Sequence, residues 1–242
     1  MLNNHSLARF QLLSGSMLKL IAVISMFIDH SAFLLRAELT ALSAPLFVAF
    51  GKEITLYFIM RKIGRLAFPI FCFLICEGFL HTRNQKRFLL RLGIFALLSE
   101  IPFDLMVSGT LFRLGKQNVF FTLFFGALLI YTAEHLRAEW AKALALLAVL
   151  YAALFLRTDY GAAGAALILL LYLFRTRPAL QAALALPLLS GQVAALAAFV
   201  PINMYNGQRG FIQSNALKYA FYLFYPLHIL LLVWIKLRLR GA

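Results

Sequence analysis

Apolar residues run nearly unbroken through eight stretches of this chain, and charged and turn-forming residues gather between them. Residues 17–35, 63–80, 87–106, 118–136, 141–156, 161–174, 179–200 and 217–235 approach the roughly 20 residues a helix needs to cross a bilayer. They predict an all-α, polytopic transmembrane helix bundle of about eight spans. Residues 39–50 are apolar too, but the run is short and carries Pro45. It therefore predicts an interfacial or re-entrant piece, with a ninth span as the alternative. Pro178 and residues 201–210 read as turns.

Composition supports the pattern. Of 242 residues, 63% are hydrophobic and 13% charged, against roughly 45–50% and 25% in soluble domains, so an ordinary soluble domain is excluded. The net charge of +14 raises nucleic acid as a partner, but the cations are dispersed between apolar runs, where loop topology and anionic lipid headgroups account for them. The expectation is membrane lipids and no nucleic acid. Residues 1–16 then form a cytoplasmic segment with Arg9, residues 17–236 one transmembrane domain with an extra segment at 37–62, and residues 237–242 a basic cytoplasmic tail. A cleavable leader is disfavoured, because the 17–35 run is a full span and holds an Asp-His pair. Basic residues on alternate loops lead narrowly on the side of both termini and the 81–87 loop, which predicts that side as cytoplasmic.

Ionisable groups inside the apolar runs carry the chemistry, since each costs at least ~2.5–3.5 kcal/mol near the bilayer centre and needs a partner, a wet cavity or a role. Lys19 and His30 fall within about 20° of one helix face, ~16 Å apart along the axis. A lysine snorkelling to the interface is the plainer reading. Asp29 precedes His30 and reaches its imidazole only if the backbone bends or a neighbour helps. Arg65 opens the second run, Pro69 lies inside it, and Glu77 and His81 share a face at i,i+4. Arg83, Lys86, Arg87 and Arg91 serve the positive-inside rule or form a cradle for a polyanion such as the phosphates of coenzyme A. Glu100 and Asp104 bracket Pro102, and such a break is tolerated in lipid beside protein or a water-filled cavity. Gln117 and Asn118 offer amide donors to a carbonyl oxygen, with capping as the plainer role of Asn118. Asp159 reads as turn chemistry and His228 as a satisfied bundle residue. Cys72 and Cys76 have helical spacing on one buried face, and with no further ligand motif no metal is expected.

Several of these segments together resemble a known family. Leu18-Lys19-Leu20-Ile21-Ala22 through Ile28-Asp29-His30, Gly64-Arg65-Leu66-Ala67-Phe68-Pro69, Glu77-Gly78-Phe79-Leu80-His81-Thr82-Arg83-Asn84 and Ser99-Glu100-Ile101-Pro102-Phe103-Asp104 are similar to TraX. So are Gln117-Asn118-Val119-Phe120-Phe121-Thr122, Asp159-Tyr160-Gly161 and Phe221-Tyr222-Leu223-Phe224-Tyr225-Pro226-Leu227-His228. TraX proteins are integral-membrane N-acetylases of conjugative F-pilin. The resemblance runs from about residue 17 onward and implies an inner-membrane acyltransferase that takes acetyl-CoA as donor. The implied acceptor is the amino-terminal amine of a pilin subunit, or another envelope amine or hydroxyl. More distantly, Lys19 and His30 are similar to the Arg-x10-His pattern of membrane acyltransferase-3 proteins, with lysine in place of arginine.

Acyl transfer to an amine needs a base, an oxyanion stabiliser and exclusion of water. The expected base is His30, oriented by Asp29, with Glu100 and Asp104 as further carboxylates. Lys19, Arg65, Glu77, His81, Arg83, Arg87, Arg91, Gln117, Asn118, Asp159 and His228 are expected to bind substrate or donor. Direct transfer and a ping-pong route through acetyl-His30 both satisfy the chemistry. The rival readings are a small proton-coupled transporter or flippase for an envelope component, which uses the same residue types as a relay, and a non-catalytic assembly factor.

Overall fold

A computed structural model describes residues 11–49 and 51–241. Arg9 and the rest of the expected segment up to residue 10, with the last residue of the basic tail, lie outside them. The described chain is mostly helical, and it divides into two compact units, Met1–Phe71 with Val193–Ala242, and Cys72–Gln192.

In the first unit α1 (Gly15–Leu35) is N-capped by Ser14, whose side chain accepts from Met17 N. After a short 3-10 turn at Thr40–Leu42 come strands β1 (Pro45–Ala49) and β2 (Lys52–Thr55), paired antiparallel. This hairpin replaces the interfacial or ninth-span segment expected at 39–50. Its turn contains Gly51 at φ 71°, a left-handed conformation that glycine takes at no steric cost. Leu46, Phe47 and Val48 stay exposed. Helix α2 (Leu56–Gly64) follows, and α3 (Ala67–Leu80) carries the chain on into the second unit.

Two expected helices are broken in a consistent way. Pro69 and Pro102 have no N–H to bond the carbonyl four residues back, and their rings crowd it. The chain breaks at Arg65–Leu66, ahead of α3, and at Ser99, between α4 (Gln85–Leu98) and α5 (Glu100–Ser108). The expected crossing at 179–200 is likewise resolved into α9 (Pro178–Leu188), α10 (Val193–Leu196) and α11 (Phe199–Asn203). Ser190 and Gly191, both at positive φ, end α9.

The second unit also holds α6 (Val119–His135), α7 (Glu139–Phe155) and α8 (Gly161–Leu173), with α6 packed on α4, α7 and α8. Polar ties fix their directions. Gln85 Nε2 at the start of α4 donates to Glu134 Oε2 near the end of α6 at 2.9 Å, and Tyr172 OH near the end of α8 donates to Glu134 Oε1 at 2.5 Å. Gln117 N, just before α6, donates to Arg157 O, just after α7, at 3.1 Å. Thus α4, α6, α7 and α8 alternate. Leu144, Leu147, Tyr151 and Leu154 stand on one face of α7 and are each at least 60% exposed. Such a face suits lipid rather than water. Cys72 and Cys76 are buried and unbridged, and Cys76 Sγ donates to Ile168 O at 3.1 Å.

The last helix, α12 (Asn215–Gly241), packs on α1 in the first unit. Ile212 N, just ahead of α12, donates to Ser16 Oγ at 2.9 Å. His30 meets His228 in the middle, and Arg240 Nε donates to Glu38 Oε1 at 2.7 Å beyond the end of α1. Three ties in rising order on both segments make α1 and α12 parallel. The expected placement of both chain ends on one side holds only where one of the two helices does not cross the bilayer. If both helices cross the bilayer, the described ends emerge on opposite sides. Three stretches are long and apolar enough to cross, Gly15–Leu35, Leu56–Leu80 and Asn215–Gly241.

Candidate functional site

His30 lies on the fifth turn of α1, ~22 Å along the helix from its start, and His228 lies at a similar depth on α12. The parallel packing brings His30 Nδ1 within 2.7 Å of His228 Nε2, with the rings stacked at 5.0 Å between centroids. His228 Nδ1 is 2.6 Å from the carbonyl oxygen of Phe224. A carbonyl only accepts, so His228 Nδ1 carries the proton, and the Nε2 of the neutral ring is the acceptor. His30 Nδ1 must then donate to it, which leaves the lone pair of His30 on Nε2. The tautomers follow from the bonding network. Phe27, Phe224 and Tyr225 pack around the pair.

One residue earlier on α1, about 100° around the axis, Asp29 Oδ2 accepts from Arg61 Nη1 at 2.6 Å. The group hydrogen-bonded to His30 Nδ1 is thus the His228 imidazole, and the Asp29 carboxylate engages Arg61. Gly64, one turn beyond Arg61 on α2, allows this approach, because a Cβ there would run into the Asp29 side chain. Arg61 is close enough to His30 to act on it through its charge. Arg61 falls between the apolar runs at 39–50 and 63–80, because a charge interrupts such a run. The available signal was an arginine beginning an apolar run in a chain with an intramembrane aspartate. Arg65 caps the end of α2 and is half-buried. Lys19 lies near the start of α1, within electrostatic range of Arg209 and Lys218.

The remaining expected residues are in the second unit. Asn118 is buried, and its side-chain oxygen caps α6 by accepting from Phe120 N at 3.0 Å. Its Nδ2 donates to Ala96 O at 2.7 Å and to Glu100 Oε2 at 2.5 Å. Both of its N–H groups are thereby used, so a thioester carbonyl would have to displace one of them. Glu100 Oε1 and Ser99 Oγ are buried and accept nothing among the described residues. Asp104 Oδ2 accepts from Arg113 N at 2.7 Å and closes the loop after α5. Gln117 Nε2 donates to Leu114 O at 3.4 Å, and Asp159 forms a 2.6 Å ion pair with Lys116. Glu77 and His81 approach to 3.4 Å across one helical turn. Arg83 and Arg87 are exposed, and Arg91 stacks over Phe88. Among the described residues no group of three His, Cys, Asp or Glu side chains could hold a metal ion.

Residues 14–236 match the family described as TraX protein. The chain is also similar to the probable fimbrial assembly protein FimC, serogroup H1, of Dichelobacter nodosus. The two are 32% identical over 255 residues, covering 94% of this chain and 97% of the relative. No solved structure matches it significantly.

Proposed function

The chain belongs to the TraX family, and from that premise we propose that it is an acetyltransferase of the bacterial inner membrane, moving an acetyl group from acetyl-CoA to the amino-terminal amine of a pilin-type subunit. The observation that carries the reading is the free lone pair on His30 Nε2, held within the bundle by the His228 hydrogen bond. A neutral imidazole of fixed tautomer beside an arginine is what general-base acyl transfer requires. The acceptor nitrogen attacks the thioester carbon while His30 Nε2 takes its proton. The oxyanion that forms is stabilised by Arg61, itself kept in place by Asp29. Collapse of the tetrahedral intermediate breaks the C–S bond, and the thiolate leaves with the proton that His30 gives up. A relative named for fimbrial assembly supports pilin as the acceptor.

In this reading the start of α1 is cytoplasmic, and His30 lies nearer the opposite face, where a processed pilin would present its amine.

Purified protein incubated with acetyl-labelled coenzyme A and a pilin-derived peptide tests the proposal. Transfer of label to the peptide amine is expected. Proton or solute flux without transfer would overturn the reading in favour of a transporter.

A further inference from the structure

The two imidazoles of the first unit are joined so that a proton can pass from one to the other. His228 Nδ1 is committed to the carbonyl oxygen of Phe224 at 2.6 Å, so its Nε2 keeps a lone pair. That lone pair faces His30 Nδ1 at 2.7 Å, a short hydrogen bond. The 5.0 Å between ring centres, with the planes 3° from parallel, exceeds the N···N distance by about the two ring radii. Both nitrogens therefore lie close to the line of centres, and the N–H of His30 points along it at the acceptor.

The surroundings of His228 suit a positive charge that is present only for part of the reaction. Its Nδ1–H donates to the Phe224 carbonyl, a bond that strengthens when the donor ring is charged. The Phe224 ring lies over the imidazole at 4.6 Å between centroids and 15° between planes, offering its π face to a cation. His228 is only 4% exposed, so a permanent charge there would be costly, whereas the resting pair is neutral. The chain of bonds also ends at this point. A carbonyl oxygen accepts a hydrogen bond without taking the proton, and among the described residues no further side chain hydrogen-bonds to His228.

We propose that His228 is the second proton site of the base, taking up the charge that His30 acquires during transfer and returning it. The inference rests on the acetyl-transfer reading above and adds where the proton is held. As the amine nitrogen bonds to the thioester carbon, its N–H breaks and an N–H forms at His30 Nε2. The N–H at His30 Nδ1 breaks in turn and one forms at His228 Nε2, so His228 becomes the imidazolium. When the C–S bond breaks, the thiolate takes the proton from His30 Nε2, and the proton on His228 Nε2 goes back to His30 Nδ1. Both rings recover their starting tautomers, and the amine proton ends on the thiol. A carboxylate holds the base histidine in a serine-protease triad, and here a second imidazole does so without burying a charge at rest. The end at Phe224 O makes the pair a store and not a path, since a transporter relay needs an acceptor on each side. His228 acts through His30 and not on the substrate.

The full chain, labelled with nitrogen-15 in its histidines and held in detergent micelles, reports the resting protons directly. His30 Nδ1 and His228 Nδ1 should give protonated signals and His228 Nε2 a lone-pair signal, assigned by their loss in His30→Gln and His228→Gln. Single-turnover acetyl transfer is then measured in mixtures of light and heavy water. A curved dependence of rate on deuterium fraction is expected for the wild type, because two protons move together. His228→Gln keeps an acceptor for His30 Nδ1 but has no second proton site. It should make that dependence linear and slow transfer by about tenfold, less than loss of the base itself, while the protonated His30 Nδ1 signal shows that the fold persists. A linear dependence in the wild type would overturn the second proton site and leave the acetyl-transfer reading intact, as would a proton on His228 Nε2 at rest. Absence of transfer by a wild-type protein with these tautomers would overturn both.

Discussion

Glu38 Oε1 accepts a 2.7 Å hydrogen bond from Arg240 Nε across 202 residues of sequence. The bond lies past the end of α1 and at the end of α12, and with the Ser16–Ile212 tie at the other end it makes these helices parallel. Cysteines introduced at Leu12 and Gly241, in a Cys72→Ala/Cys76→Ala background, should therefore react with impermeant maleimide from opposite sides of oriented vesicles. Labelling from one side only would contradict the parallel pair.

His30→Ala should reduce acetyl transfer by about 10²–10⁴, the usual cost of removing a general base, without unfolding the bundle. His228→Gln keeps an acceptor for His30 Nδ1 and should retain more activity than His228→Ala. Single-turnover label transfer measures the order. Equal activity in the two His228 variants would mean that tautomer control at His30 does not matter.

Asp29→Asn leaves Arg61 without its counter-charge inside the bundle, a loss on the order of 2.5–3.5 kcal/mol on insertion scales. Thermal unfolding in detergent should show this loss, and Asp29→Asn/Arg61→Gln should recover much of it while transfer stays impaired. An additive double variant would mean that the pair is not coupled.

Gly64→Ala places a methyl group where the Asp29 side chain lies. Overpacking of this kind costs typically 1–3 kcal/mol, and separating α1 from α2 also draws Arg61 away from His30. The variant should lower both the unfolding midpoint and the transfer rate.

Asn118→Ala removes the cap of α6 and the donor to Glu100 together. The cap alone is worth about 0.5–2 kcal/mol, and the stranded carboxylate adds to the loss. Asn118→Ala/Glu100→Ala should therefore be more stable than Asn118→Ala in the same thermal assay.

Membrane character, most helix positions and the identity of the ionisable residues were legible in the sequence, because all three follow from local hydrophobicity and from the cost of charge in lipid. Capping by Asn118 was legible too, as it depends on neighbouring residues. The breaks ahead of Pro69 and Pro102 were not, since Pro226 sits inside α12 without ending it, and whether a freed carbonyl finds another partner depends on neighbours in space. The hairpin at Pro45–Thr55 replaced an expected apolar segment because a short apolar run does not distinguish strand from helix. The helical position of Arg61 was not legible, because a charge ends a hydropathy run whether or not it has a partner. The pairing of His30 with His228 and of Asp29 with Arg61, and the parallel course of α1 and α12, belong to the tertiary structure alone. Each joins residues whose separation along the chain carries no record of their distance in space.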